Sequence, residues 1–133
     1  MGKINIFTLL TTVVVQFVVG YLWYGTYLFG DVITVGGHGI DFLKLDVISL
    51  LFLILSSYGL THVLDMLGTL THTKNIGGAL KLGMTVGVFA IGFPVVMLLN
   101  LMGMGHVALL VIFTHIVLIT ILTSIVVLKL KKA

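Results

Sequence analysis

Three side chains that are capable of proton or metal chemistry lie close together in one apolar segment of the chain. Tyr58, His62 and Asp65 are four and three residues apart, so a helix would carry them on one face. A histidine beside a carboxylate can relay a proton, contribute to a metal site or form a structural hydrogen bond. We favour the structural interpretation, because Asp65 lies about one turn from the end of its predicted helix, where water reaches it. A proton or ion pathway and a metal site stay open as alternatives.

A second polar pair consists of Gln16 and His115, which lie about half-way through the first and last apolar segments. Their similar depth allows the two side chains to satisfy each other across helices, as polar residues in membrane bundles commonly do. We therefore expect a structural hydrogen bond between them. The alternative is a polar constriction for a small solute.

The other reactive side chains do not converge on a catalytic motif. The histidines are His38, His62, His72, His106 and His115. None of them has a partner histidine three or four residues away, so we expect no bound metal ion and no cofactor. The sequence has no cysteine, no hydrolase elbow, no phosphate loop and no nucleotide fingerprint. We predict that the protein is not an enzyme, and an enzyme acting on lipid or quinone ranks third among the functions considered.

The composition places these side chains in a membrane. Of 133 residues, 59% are hydrophobic and 8% are charged, with a mean hydropathy of +1.30, whereas soluble domains carry roughly 25% charged residues. The net charge of +3 does not indicate nucleic-acid binding. Lys129, Lys131 and Lys132 directly follow an apolar run, where lysines anchor a helix to anionic headgroups.

The apolar segments predict an all-α, polytopic integral membrane protein with four transmembrane helices in a bundle. A single membrane domain covers residues 1–133, and the length fits about four spans of ~20 residues. The spans are expected at about 5–27, 45–67, 79–101 and 106–128. The first run is longer than the apolar core of a cleaved signal peptide, roughly 7 to 15 residues, so we expect it to be retained. In the first loop, the alternation over residues 31–35 predicts a short extended piece.

The positions of the lysines predict the orientation. With four spans, both termini share a side with the second loop. That side collects Lys3, Lys74, Lys81, Lys129, Lys131 and Lys132. The opposite side holds only Lys44. Because lysines in short loops are retained in the cytoplasm, both termini are expected to be cytoplasmic, in a multi-pass protein of the cell membrane.

Small residues in the third span predict close helix packing. Ala79, Gly83 and Gly87 follow one another at four-residue spacing, which forms a groove that another helix can approach closely. We favour a partner helix within the same chain over a second copy. Pro94, with Gly92 nearby, predicts a kink in this span.

Aromatic residues mark the end of the first span. Trp23, Tyr24 and Tyr27 are expected to anchor the helix at the membrane interface, as are the three C-terminal lysines. Gly20 allows another helix to approach closely.

The run Gly20-Tyr-Leu-Trp-Tyr-Gly25, followed by Leu28-Phe-Gly30, resembles a signature in a family of small prokaryotic four-helix membrane proteins. That family is catalogued as a domain of unknown function. A third span that ends near Asn100 and a last span that contains His115 are similar as well. The resemblance implies a fold and a membrane location, and it implies no mechanism.

Residues that favour close helix packing are more numerous in this sequence than reactive side chains that would lie close together. We therefore expect a non-catalytic protein that either associates with copies of itself or acts as a small accessory subunit of a larger membrane complex. Its expected partners are the lipid bilayer and these other membrane chains. The alternative is a small oligomeric channel or transporter for a proton, a metal ion or a small solute. Its candidate pore-lining residues are Gln16, His62, Asp65 and His115.

Overall fold

Long apolar runs form helices along most of this chain. The computed structural model describes residues 5–24, 34–35, 38–39 and 47–130. Within these residues, four helices are long and apolar enough to span a membrane: Ile6–Trp23, Val47–Leu70, Ile76–Leu101 and His106–Leu130. The prediction of four apolar helices of membrane-spanning length is therefore confirmed for the described part of the chain, and these helices indicate a multi-pass membrane protein.

The helices and strands have the following bounds. In chain order they are α1 (Ile6–Tyr24), β1 (Thr34–Val35), β2 (His38–Gly39), α2 (Val47–Leu70), α3 (Ile76–Thr85), a π-helical segment (Val86–Gly92), α4 (Phe93–Leu101) and α5 (His106–Leu130). The two short strands pair antiparallel, with Thr34 opposite Gly39 and Val35 opposite His38. They lie in the loop for which the sequence predicts an extended piece.

The third span changes its helical register half-way along. It begins at Ile76 because the Asn75 side chain accepts a hydrogen bond from the Gly78 backbone N–H at 2.7 Å, which caps the helix. The π-helical segment ends directly before Phe93 and Pro94. Proline has no N–H and its ring clashes with the preceding turn of an α-helix. Where the sequence predicts a kink, the structure accommodates Pro94 with the wider turns of a π-helix.

The last helix, α5, lies at the centre of the packing. It contacts α1, α2, α3, the π-helical segment and α4. Trp23, near the end of α1, lies against Val111, near the start of α5, and Gly83 of α3 lies against Ile121. These contacts make α1 and α3 antiparallel to α5. The start of α3 and the end of α5 therefore share one end of the bundle, which we call the lysine end.

Hydroxyl groups occupy the interior of the bundle, and apolar side chains cover its outside. We call the buried polar side chains the polar seam; they are Thr8, Thr12, Ser57, Thr61, Asp65, Thr120, Thr123 and Ser124. Leucine, isoleucine, phenylalanine and valine side chains are exposed along the long helices. This distribution suits a lipid environment, because hydrocarbon tolerates apolar surface and penalises polar groups that lack a partner.

Candidate functional site

The small-residue groove of the third span packs against α5 of the same chain. Ala79 and Gly83 are buried, and a Cβ atom on Gly83 would lie 2.6 Å from the Ile121 Cα. A Cβ on Gly87 would lie 3.1 Å from the Val117 Cα. The two backbones therefore approach so closely that only glycine fits at Gly83. This contact fixes α3 and the π-helical segment on α5.

The end of α1 is also tied to α5. The Trp23 indole Nε1 donates a hydrogen bond to the Val111 backbone oxygen at 3.0 Å, and Gly20, one turn earlier, is buried. Trp23, predicted as an interface anchor, thus contacts the bundle itself. Of the other predicted anchors, Tyr24 is the last residue of α1 and Lys129 is exposed in the last turn of α5. Tyr27, Lys131 and Lys132 lie outside the described residues.

A cleft of about 530 Å³ opens between α2 and the π-helical segment, with α1 and α5 contributing to its walls. Its lining residues are Gln16, Ser56, Gly59, Leu60, Val63, Val86, Ala90, Ile91, His115, Ile116, Ile119 and Thr120. None of these is an aspartate, glutamate, lysine or arginine. Ser56 and Ala90 are exposed at its edges, so the cleft faces the surroundings of the bundle sideways.

Gln16 and His115 both line this cleft. The sequence predicts a hydrogen bond between them, but among the described residues the Gln16 side chain forms none. The His115 ring lies instead with its centroid 6.5 Å from that of Trp23. The two residues thus share one site without bonding to each other.

The predicted face of Tyr58, His62 and Asp65 is divided between two environments. The rings of Tyr58 and His62 stack with their centroids 6.1 Å apart and their planes 7° apart. Tyr58 is 50% exposed, whereas Asp65 is only 7% exposed. Within the described part of the chain, neither Tyr58 nor His62 forms a hydrogen bond. Asp65 therefore belongs to the interior, whereas Tyr58 is exposed on the outer surface of α2 and His62 beside it is half-buried.

This ring pair lies deep within the span. At 1.5 Å per residue, Tyr58 lies roughly 18 Å and His62 roughly 12 Å along the helix from Leu70, the last residue of α2. The hydrocarbon core of a bilayer is about 30 Å thick. The Tyr58 hydroxyl is therefore too far from the lysine end to reach the headgroups there.

Asp65 lines a smaller cavity of about 300 Å³ near the lysine end. Its other polar lining residues are Thr69, Thr73 and Ser124. The Thr69 hydroxyl donates to the Asp65 backbone oxygen at 2.9 Å. Among the residues that the structure describes, no group of three or more His, Asp or Glu side chains could hold a metal ion.

Several hydroxyls of the polar seam have no hydrogen-bond partner among the described residues. They belong to Thr8, Ser57, Thr61 and Thr123. The Thr12 hydroxyl, in contrast, donates to the Thr8 backbone oxygen at 2.9 Å. A buried hydroxyl that makes no hydrogen bond destabilises a fold by about 1–3 kcal/mol. The seam is therefore more polar than helix packing alone requires.

Sequence reasoning missed the polar seam, although a signal for it exists. Ser57, Thr61 and Asp65 follow at four-residue spacing in α2, and Thr8, Thr12 and Gln16 repeat that spacing in α1. Such a period places small polar residues on one helical face. The π-helical wall of the cleft has no comparable signal beyond Pro94.

Comparison with protein-family models, with curated proteins and with solved structures gives no match to this chain.

Proposed function

We propose that this is a non-catalytic membrane protein that associates with other transmembrane helices through one flank of α2. The flank comprises Leu55, Tyr58 and His62, and we call it the α2 flank. The observation that carries the proposal is the stacked Tyr58–His62 pair near the middle of α2, in which Tyr58 is exposed, His62 is half-buried and neither ring forms a hydrogen bond among the described residues. Copies of the same chain are the favoured partners, and a larger membrane complex is the alternative.

The energetics favour a partner for this pair. Moving a hydroxyl from water into a medium that cannot form hydrogen bonds costs about 4–8 kcal/mol. Hydrogen bonds between membrane helices recover about 0.6 kcal/mol on average and at most about 1.7 kcal/mol. A monomer therefore gains stability from any helix that offers a hydrogen-bond donor or acceptor to the two rings.

A second copy has the required chemistry. In a two-fold dimer each protomer presents the same patch to the other. The Tyr58 hydroxyl of one protomer can then donate to a His62 ring nitrogen of its partner, and the reverse bond forms at the same depth. This reciprocity supports self-association over a different partner.

A cysteine at Leu55 tests the contact directly, because the natural sequence contains no cysteine. Leu55 is 54% exposed and lies one turn from Tyr58, so Leu55→Cys leaves both rings intact. Copies inserted in one orientation carry the cysteine at the same depth. We expect a disulfide-linked dimer on mild oxidation of native membranes, measured by non-reducing electrophoresis.

Leu10→Cys is the matched control. Leu10 is 56% exposed and lies on the side of α1 opposite the buried Thr8 and Thr12. It is expected to cross-link only at the background level set by random collisions. Equal cross-linking at Leu55 and Leu10 would contradict an interface at the α2 flank.

We also propose that the lysine end faces the cytoplasm of a cell with a positive-inside membrane. Lys74, Lys81 and Lys129 are exposed near this end, and lysines near short loops are retained on the cytoplasmic side. A reporter enzyme that is active only after export is expected to be inactive at the C-terminus and active when inserted between β1 and β2. The reverse pattern would overturn the orientation. The resemblance of residues 20–30 to small prokaryotic membrane proteins stays a prediction and implies the same location.

The polar seam favours a second candidate function, a small oligomeric transporter. Hydroxyls that lack a hydrogen-bond partner among the described residues, such as those of Ser57 and Thr61, can bind water molecules along a path that begins near Asp65. Thr61→Val keeps the side-chain shape and removes the hydroxyl. The measurement is the flux of protons or small cations into liposomes that contain the protein. A lower flux for this variant than for the natural protein would support transport. An absence of flux in the natural protein would exclude transport of those solutes.

A further inference from the structure

We infer that the cleft between α2 and the π-helical segment binds a neutral, lipid-soluble molecule that carries a carbonyl oxygen. Its volume of about 530 Å³ lies within the range of about 300–1,000 Å³ that is usual for small-molecule sites. Most of its lining side chains are apolar, and the few polar ones lie at the middle of the spans. Such a site suits a ligand that has an apolar body and one polar group.

The hydrogen-bonding state of the lining residues defines that polar group. The Ser56 hydroxyl donates to the Leu53 backbone oxygen at 3.0 Å, and the Thr120 hydroxyl donates to the Ile116 oxygen at 2.7 Å. Both hydroxyl protons are thus in use. The Gln16 amide forms no hydrogen bond among the described residues and has two N–H donors. These N–H groups can donate to an acceptor on the ligand, such as a carbonyl oxygen.

The side chains that line the cleft and its depth within the bundle exclude two other classes of ligand, charged molecules and lipid acyl chains. Among the described residues that line the cleft, a charged ligand would meet no formally charged lysine, arginine, aspartate or glutamate. A lipid acyl chain would fill the apolar volume, but it would leave the Gln16 amide without a partner in hydrocarbon, which is unfavourable. A neutral carbonyl compound satisfies both conditions.

The backbone of the cleft wall is irregular on the side that faces α2. Val86, Ala90 and Ile91 belong to the π-helical segment, and π-helical turns within α-helices are rare and frequently occur at functional sites. In addition, α2 packs against α3, while its contacts with the π-helical segment and α4 are slight. The wall opposite α2 is therefore an irregular helix beside a gap.

The single tryptophan provides a reporter for this site. Trp23 lies with its ring centroid 6.5 Å from that of His115, which lines the cleft, so a quinone bound in the cleft would lie close enough to the indole to quench its fluorescence. We would titrate the purified protein in lipid vesicles with decylubiquinone, a neutral carbonyl probe, and record Trp23 emission. We expect saturable quenching that exceeds the quenching of a tryptophan octyl ester in vesicles of the same lipid. Quenching proportional to the quinone content of the lipid, as for the octyl ester, would overturn the inference.

Three variants locate the site and identify the interaction. Gln16→Leu removes the donor and is expected to weaken binding about tenfold or more. Ala90→Leu fills the cleft from its wall and is expected to abolish saturable quenching. Val107→Leu, at a position that is 65% exposed and outside the cleft, is the matched control and is expected to bind like the natural protein. Each variant is compared only if its helical circular dichroism and its elution volume are unchanged.

A competition experiment tests the carbonyl requirement. Decylbenzene has a similar apolar body without a carbonyl oxygen, and we expect it to displace decylubiquinone poorly. Equal displacement, or full binding by Gln16→Leu, would contradict recognition of a carbonyl group. Full binding by Ala90→Leu would contradict the location.

Discussion

Gly83→Ala is expected to destabilise the bundle by about 1–3 kcal/mol, although it adds only one methyl group. The new Cβ would lie 2.6 Å from the Ile121 Cα and 3.0 Å from the Thr120 backbone oxygen. Both neighbours are backbone atoms of α5, so neither can rotate away as a side chain can. The helices have to separate, and α5 is the helix on which the rest of the bundle packs.

Gly59→Ala is the matched control for this prediction. A Cβ at Gly59 would have no atom within 4 Å, and alanine is favoured over glycine within a helix by about 1 kcal/mol. We expect this variant to be as stable as the natural protein or slightly more stable. The measurement is unfolding by SDS in mixed micelles, followed by helical circular dichroism. Equal stability of the Gly83 and Gly59 variants would contradict the close α3–α5 contact.

Combining Tyr58→Leu with His62→Leu is expected to weaken self-association by roughly tenfold to a few hundredfold. The double change removes both reciprocal hydrogen bonds of a two-fold dimer, each of which contributes about 0.6–1.7 kcal/mol in a membrane, and every 1.4 kcal/mol is tenfold in affinity. The isolated chain is not harmed, because leucine is favourable at the centre of a transmembrane helix. Association and folding are therefore expected to change in opposite directions.

Energy transfer between two labelled populations in lipid vesicles measures this association. The protein is diluted with lipid until transfer falls by half, and the lipid-to-protein ratio at that point is compared between variants. Leu10→Ala, a change on the exposed side of α1, controls for a general effect of altered surface. If the double variant and the natural protein dissociate at the same dilution, the Tyr58–His62 pair is not the contact.

The long helices could be predicted from the sequence because lipid allows few alternatives. A backbone in hydrocarbon has to satisfy its own hydrogen bonds, so an apolar run of sufficient length becomes a helix. The end of the second span, predicted at 67, and the start of the third span, predicted at 79, each differ by three residues from the observed Leu70 and Ile76. For the third span, the sequence does contain a signal for the observed start: Asn75, whose side chain caps the helix.

The candidate sites could be predicted only in part, because they depend on how helices rotate and diverge. The depth of Gln16 and His115 follows from counting residues, and both line one cleft. Whether they bond to each other depends on how α1 and α5, the helices that carry them, rotate about their axes, and no residue spacing encodes that rotation. Likewise, spacings of three and four gather residues on a broad arc. At the edge of that arc, Asp65 turns inward while Tyr58 stays on the surface.

The native mass of the protein, extracted gently with its surrounding lipid, tests the proposal of helix association most directly. One chain has a mass of 14.4 kDa. We predict a protein mass of two or more copies, reduced toward one copy by the Tyr58→Leu and His62→Leu double change. A defined complex with other membrane proteins in fixed ratio would assign the α2 flank to an accessory subunit instead. A single chain of 14.4 kDa with no co-eluting protein would contradict the proposed function.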